Sequence, residues 1–316
     1  MKKSLICGIS GQDGAYLASL LLSKGHIVYG TSRDAEASSF RNLETLGVKD
    51  KVKLESMSLN DFRSVLQVLI KVEPDEVYNL AGQTSVGLSF AQPVETLESI
   101  ATGTLNLLEA IRFTKAPIRF YNAGSSECFG DTGDLAANEL TPFRPCSPYA
   151  VAKSASFWEV ANYLEAYNIF ACSGILFNHD SPLRPSRFVT QKIISTICRI
   201  AEGSPEKLIL GNTNIQRDWG WADDYVEAMY LMLQQPEADD YVIATGKSHS
   251  LQKFVETGFA YFDIDPSDRI VVDQSLFRPS EIMKSSGDPS KAKLKLGWQA
   301  KHEMQEIIAK MIEAKQ

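Results

Sequence analysis

Short apolar runs alternate with longer stretches of helical repeat through the first half of the chain. Leu5-Ile6-Cys7 is an apolar run of strand length, and residues 16–24 follow with Leu17, Leu20 and Leu21 on one helical face. Residues 27–30 read as a second strand, 62–72 as a helix, and Glu76-Val77-Tyr78-Asn79-Leu80 as a strand. A helix is predicted over 102–113 from Leu105, Leu108 and Ile111, a strand over 118–122, a long helix over 149–167 and a strand over 171–177. Alternating strands and helices of these lengths predict a parallel sheet covered on both faces. Beyond residue 178 the pattern loosens, and Pro182, Pro185, Pro205 and Pro279 punctuate loops between helices over 189–202, 223–235, 251–262 and 301–314. The expected division is a sheet domain over 1–178, with segments near 212–246 returning to it, and a smaller mixed α/β lobe over 179–316.

Composition narrows the partners. The 316 residues are 44% hydrophobic and 22% charged, an ordinary globular balance, with a formal net charge of −7 and a pI near 5.3. An acidic surface repels phosphate backbones and anionic lipid, so neither nucleic acid nor membrane is the expected partner. No apolar run approaches the roughly 20 residues of a spanning helix. Lys2 and Lys3 precede an apolar stretch too short for a secretory signal, which reads as a first buried strand, and a cytoplasmic location is expected. The five cysteines (Cys7, Cys128, Cys146, Cys172, Cys198) form no CxxC or Cys/His cluster, so reduced thiols and no metal centre are expected.

Four motifs carry chemistry. Gly8-Ile9-Ser10-Gly11-Gln12-Asp13-Gly14 follows a strand and opens a helix. Glycines there let the backbone approach a pyrophosphate that the helix N-terminus attracts, so a dinucleotide site in a Rossmann-type, doubly wound sheet is expected. The spacing is GxxGxxG, and a glycine-rich turn that only packs helix on strand is the other reading. Arg33 follows the second strand where NAD-binding folds place an acid; its guanidinium suits a 2′-phosphate and favours NADP, while Asp34 could bind a ribose hydroxyl or pair with Arg33. Tyr149 and Lys153 stand four apart on one helix face, where an ammonium is expected to lower the phenol pKa and make it a general acid/base. Ser125 and Glu127 follow a strand; the serine can bond a reacting oxygen, and the carboxylate adds a second acid/base that hydride transfer alone does not need.

The order GxxGxxG, Ser-x-Glu, Tyr-x-x-x-Lys resembles the extended short-chain dehydrogenase/reductases. Within them the chain is similar to the GDP-mannose 4,6-dehydratases along nearly its whole length. The stretches that carry this are residues 11–17, Tyr78-Asn79-Leu80-Ala81, Ser147-Pro148-Tyr149, residues 174–179 ending in Asn178-His179, Phe188-Val189-Thr190, Arg217-Asp218-Trp219-Gly220, Asp239-Asp240-Tyr241-Val242 and Phe277-Arg278-Pro279-Ser280-Glu281. The resemblance implies an NADP-dependent lyase. Tyr149 takes the O4 proton, with Ser125 and Lys153, as hydride leaves C4; Glu127 takes the C5 proton; water leaves C6 and the hydride returns there. It implies cofactor contacts from Gly8, Ile9, Ser10, Gly11, Gln12, Asp13, Gly14, Arg33, Ser58, Leu59, Leu80, Ala81, Gln83, Tyr149, Lys153, His179 and Arg184. It implies GDP-sugar contacts from Thr84, Ser126, Glu127, Asn178, Arg184, Phe188, Val189, Lys192, Arg217, Arg278 and Glu281, with the 179–316 lobe as the sugar-nucleotide side. A homodimer through the helices over 102–113 and 149–167, doubled or not to a homotetramer, is implied too. The chain departs from the family at Asp34, Ser58, Gly82, Ser125 and Leu183–Arg187, and the last change leaves a related GDP-sugar such as a GDP-heptose open. A 4-reductase or epimerase of the same superfamily is the alternative that Glu127 argues against.

Overall fold

The computed structural model describes residues 1–316. Seven strands form one wholly parallel sheet: β1 (Lys3–Cys7), β2 (Ile27–Ser32), β3 (Lys53–Ser56), β4 (Glu76–Asn79), β5 (Arg119–Ser125), β6 (Ala171–Leu176) and, after the intervening β7 (Asn178–Asp180), β8 (Leu208–Leu210) and β9 (Gln216–Trp221), β10 (Tyr241–Ile243). The order is β10-β6-β5-β4-β1-β2-β3. β4 and β6 are buried at every position, as strands covered on both faces must be, whereas the edge strand β3 is half solvent-facing. β11 (Ser248–Ser250) pairs antiparallel with β9, which pairs parallel with β7, and β12 (Ile270–Val272) pairs with β8.

The helices are α1 (Gln12–Ser23), α2 (Arg41–Thr45), α3 (Phe62–Val72), α4 (Val86–Ala91), α5 (Pro93–Leu97), α6 (Gly103–Thr114), α7 (Pro148–Tyr167), α8 (Val189–Ala201), α9 (Ala222–Gln234), α10 (Leu251–Ala260), α11 (Ser290–Leu296) and α12 (Met304–Glu313). Successive β1 side chains point to opposite faces: Ile6 packs with α1 and α9, and Leu5 and Cys7 pack with α3, α6 and α7. A separate apolar core joins α8, α10 and α12 to β8 and β9. The strand β10 and helix α9 thus belong to the large sheet although they follow β7 and β8 in the chain.

Several boundaries differ from the pattern reading. α1 begins at Gln12, inside the glycine motif, because backbone bonds from Gly8 and Gly11 start the turn before any apolar repeat appears. The short α2, α4, α5 and α11 and the three-residue strands β7, β8, β10, β11 and β12 leave too few residues for a period to register. The C-terminal helix starts at Met304, three residues later than expected, behind a capping box of Glu303 and Glu306. Cys7, Cys128 and Cys172 are buried, Cys146 is exposed, and all five cysteines are free.

Gly14 locks α1 to β1: a Cβ there would stand 2.6 Å from both the Gly8 carbonyl oxygen and the Ile9 Cα, which are backbone and cannot yield. Gly14→Ala is expected to cost about 3 kcal/mol by overpacking. Urea denaturation measures it, and a change within about 0.5 kcal/mol, as at an ordinary surface site, would remove this account of the motif.

Candidate active site

A cleft of about 810 Å³ runs over the carboxyl ends of β1, β2, β3 and β4, where a doubly wound sheet takes its ligands. Of the residues expected at a cofactor, Gly8, Ser10, Gly11, Gln12, Asp13, Gly14, Arg33, Ser58, Leu59, Leu80, Ala81, Gln83 and Arg184 line it, and so do Thr84 and Phe188. Gly8 holds φ +83°, and a Cβ on it would meet Ala81 Cα at 2.9 Å, so only glycine fits between the two strand ends. Gly11 occupies the N-cap of α1 without a side-chain cap, and a Cβ there would meet only the Gly8 carbonyl, at 3.4 Å. The first-turn N–H groups of α1 are therefore left to a ligand in a groove stripped of side chains, an arrangement that fits a dinucleotide pyrophosphate.

Arg33 lines the cleft without a carboxylate partner. Asp34 is turned away: its Oδ1 accepts from the N–H groups of Glu36 and Ala37 at 2.9 and 3.0 Å, closing its own loop. Ser38, Glu95 and Arg187 also line the cleft. Ser38 and Glu95 lie outside every motif, whereas Arg187 belongs to the Leu183–Arg187 stretch where the chain departs from the family.

Four expected cofactor residues are not in the cleft lining: Tyr149 and Lys153, which belong to the end of β5 described below, and Ile9 and His179. Ile9 packs its side chain into the core, filling the space that a Cβ on Gly30 would need. His179 is buried behind the cleft, between the Phe177 carbonyl oxygen at 2.7 Å and Asp13 Oδ2 at 2.9 Å, with its ring stacked on Tyr225. It meets the cleft through Asp13. Burial alone would raise the Asp13 carboxyl, but His179 and the amide of Gln12 hold it below its ordinary value; burial would lower the His179 pKa, and Asp13 raises it. Gln12 also donates to the His179 carbonyl and accepts from Ser181, and Arg184 donates to that same carbonyl while pairing with Asp180. The opening of α1 is thus tied to β7 and to the loop before α8.

The chemistry gathers at the end of β5. Ser125 ends the strand and caps a short 3-10 turn, Ser126–Phe129, accepting from the Glu127 N–H at 3.3 Å. Ser147 caps α7 by accepting from Ala150 N–H, and Pro148 follows at the first turn. This capped start fixes Tyr149 and Lys153 one turn apart against β5. Both are nearly buried, and Lys153 Nζ donates to the Ala123 carbonyl at 2.7 Å. The ammonium lies 5.9 Å from the Tyr149 ring centre. Burial raises the Tyr149 phenol pKa well above its ordinary value, opposed by its hydrogen bond to Ser125, and Lys153 is not among the groups that lower it. In the chain alone burial thus outweighs any lowering of the phenol pKa by Lys153, and burial draws the lysine's own pKa down to about 8.

Glu127 is half-buried, with its carboxyl raised by burial and pulled back by Arg217 and then Arg278, while Glu281 adds to the rise. Arg217 leaves β9 fully enclosed, donating to the carbonyls of Gln216 and Ile282 at 2.9 and 2.8 Å and pairing with Glu281 at 3.4 Å; Arg278 pairs with Glu281 at 3.7 Å. Ser126 is buried in the same turn. Asn178 lies in β7 beside Trp219. Val189 is exposed at the start of α8, and Lys192 donates to the Ile209 carbonyl at 2.7 Å, so these last two do not join the arginine cluster. No cluster of His, Cys, Asp and Glu suits a metal ion, and no helix is long and apolar enough to cross a membrane.

Comparison with known proteins extends this picture. Residues 5–311 match the family model described as GDP-mannose 4,6 dehydratase. The chain is 45% identical over 322 residues to GDP-mannose 4,6 dehydratase 1 of Arabidopsis thaliana, covering 99% of this chain and 89% of that protein. It is 41% identical over 347 residues to GDP-mannose 4,6-dehydratase of Vibrio cholerae, covering 98% and 93%. Among solved structures it superposes with TM-score 0.86 on the Thermus thermophilus UDP-glucose 4-epimerase complex with NAD, at 25% identity and 98% coverage of both chains. RMD from Pseudomonas aeruginosa, complexed with NADPH, gives 0.82 at 22% identity, covering 99% of this chain and 98% of the other.

Proposed function

Because the chain belongs to the GDP-mannose 4,6-dehydratase family, we propose that it converts GDP-mannose to its 4-keto-6-deoxy derivative with NADP as a recycled cofactor. The observation that carries this reading is Glu127 beside Ser125, Tyr149 and Lys153: a second carboxyl acid/base next to a hydride-transfer set. A nicotinamide dinucleotide, held by the cleft residues from Gly8 to Gly14 and by Arg33, would supply the hydride acceptor for C4 and the hydride that returns to C6. Tyr149 takes the O4 proton and Ser125 donates to O4. The resulting 4-ketone acidifies C5; Glu127 takes that proton and passes it to the C6 hydroxyl, which leaves as water, and as hydride adds to C6 a proton returns to C5, balanced by the one Tyr149 took from O4. Lys153 holds the Ala123 carbonyl and with it the end of β5. Arg217 and Arg278 offer charge-assisted donors to the diphosphate of the sugar nucleotide. A 4-reductase or epimerase needs no C5 base and would leave Glu127 without work.

The test is purified protein with GDP-mannose and a catalytic amount of NADP, read by mass spectrometry. A sugar nucleotide lighter by one water, with no net reduced cofactor, supports the reading. An unchanged sugar with GDP-mannose, and turnover of a GDP-heptose instead, would move the substrate; accumulating reduced cofactor would make it a reductase-type enzyme.

NADP over NAD is supported by the unpaired Arg33 in the cleft and by Asp34 being engaged in its own loop. Arg33→Ser is expected to weaken NADP binding about 30-fold, the scale of a charge-assisted hydrogen bond to phosphate, and to leave NAD binding unchanged. Equal losses for both dinucleotides in fluorescence titration would take the 2′-phosphate role from Arg33. A homodimer through α6 and α7 is supported by apolar side chains left open on those helices, with Trp158 63% and Phe113 65% exposed. A cytoplasmic location accords with the free thiols.

A further inference from the structure

The turn that carries Glu127 does not end freely. Gly130, at φ +68°, lies so close to the Arg144 carbonyl that a Cβ would collide with its oxygen, and the chain then passes to Asp131. Asp131 Oδ1 accepts from the Gly133 N–H at 2.9 Å, closing a local turn. Its Oδ2 faces the other way and accepts from the N–H groups of Met283 and Lys284 at 2.8 and 3.4 Å. The segment 277–284 that those two residues finish is the one that brings Arg278 and Glu281 to the site. Its far side is held by β9, where Gln216 N–H donates to the Met283 carbonyl at 2.7 Å. Thr132 adds a bond of 3.0 Å from its N–H to the Lys284 carbonyl. The 277–284 arm is thus threaded between the strand that carries Arg217 and the loop that continues from Glu127, and on the Glu127 side Asp131 is the charged side chain that bonds its backbone.

We propose that Asp131 is a positioning residue: its carboxylate clamps the 277–284 arm to the turn that bears Glu127, so that Arg278, which with Arg217 of β9 receives the sugar-nucleotide diphosphate, stands at a fixed distance from the base. The inference rests on the dehydratase reading of the site. The groups facing Glu127 are Arg217 from β9, Arg278 and Glu281 from the arm, and Tyr149 from α7. Arg278 acts on Glu127 more strongly than Glu281 does and in the opposite sense, so a loosened arm leaves the base with a higher pKa. Asp131 itself is held ionised: burial would raise its carboxyl, and the N–H groups of Gly133, Met283 and Lys284 bring it below its ordinary value.

Asp131→Asn isolates the clamp, because a carboxamide cannot accept on both sides and must lose either the arm or the turn. Asp134→Asn is the control: this neighbouring side chain is fully exposed and pairs with Lys284 at 3.3 Å without touching the arm backbone. The measurement is calorimetric titration of the whole protein with GDP and with NADP, followed by the pH dependence of kcat/KM. For Asp131→Asn, GDP binding is expected to weaken about tenfold, the scale of one charge-assisted hydrogen bond. NADP affinity and the unfolding midpoint should stay at wild-type values, KM for the sugar nucleotide should rise more than kcat falls, and the acid limb of kcat/KM should move to higher pH. Asp134→Asn should behave as wild type. Equal GDP affinity in wild type, in Asp131→Asn and in Asp131→Ser, whose short hydroxyl cannot span from the turn to the arm, overturns the clamp, and so does an equal loss in Asp134→Asn, which would make the effect one of surface charge. Should Asp131→Asn fail to fold, Asp131→Ser is read in the same titrations with the same outcomes. A wild-type protein that binds NADP but no GDP removes the dehydratase reading, and the inference with it.

Discussion

Tyr149→Phe loses about a thousandfold in turnover of GDP-mannose, within the range that a positioned acid/base contributes, and still binds NADP. The ring is nearly buried between β5 and its own helix, so removing one hydroxyl leaves the packing intact. What disappears is the group that accepts the O4 proton. No other side chain replaces it: Ser125 is a hydroxyl with an ordinary alcohol's reluctance to ionise, and Lys153 is bound to the Ala123 carbonyl. Steady-state rates of Tyr149→Phe within tenfold of wild type would take the acid/base role away from this residue.

Glu127→Gln stops the loss of water, with product formation falling by about a thousandfold on the same acid/base scale. The amide keeps the shape of the carboxylate and cannot take a proton from C5. GDP and NADP affinities are expected to stay close to wild type, because Arg217 and Arg278, the proposed diphosphate donors, remain. The pH profile gives an independent reading. Glu127 works only when ionised, and burial raises its pKa against the pull of Arg217 and Arg278. Wild-type kcat/KM should therefore fall as pH drops through a value above the ordinary glutamate pKa of about 4.3, and this acid limb should be missing in the residual rate of the glutamine variant. Mass spectrometry of the sugar nucleotide decides the matter: full dehydration by Glu127→Gln would sink the assignment of the C5 base.

The sequence by itself determined the fold class, since runs such as Leu5-Ile6-Cys7 and residues 171–177 are too apolar for anything but strands buried on both faces, and the stretches between them repeat with a helical period. It also brought together the groups proposed to carry the reaction, because Tyr149 and Lys153 owe their common face to helix geometry alone, and Ser125 and Glu127 are two residues apart in the chain. It did not determine what stands opposite them. Arg217 on β9 and Arg278 and Glu281 on a distant loop meet Glu127 only because β9 and the 277–284 arm fold onto the end of β5, a contact between segments with no periodic signal in common. Nor could spacing say that Asp34 closes its own loop, that His179 reaches the cleft only through Asp13, or that the Lys153 ammonium donates to the Ala123 carbonyl. Local geometry follows from the order of residues along the chain; the charge state and the aim of a side chain follow from which groups the completed fold brings within hydrogen-bonding distance and how far it shuts out water.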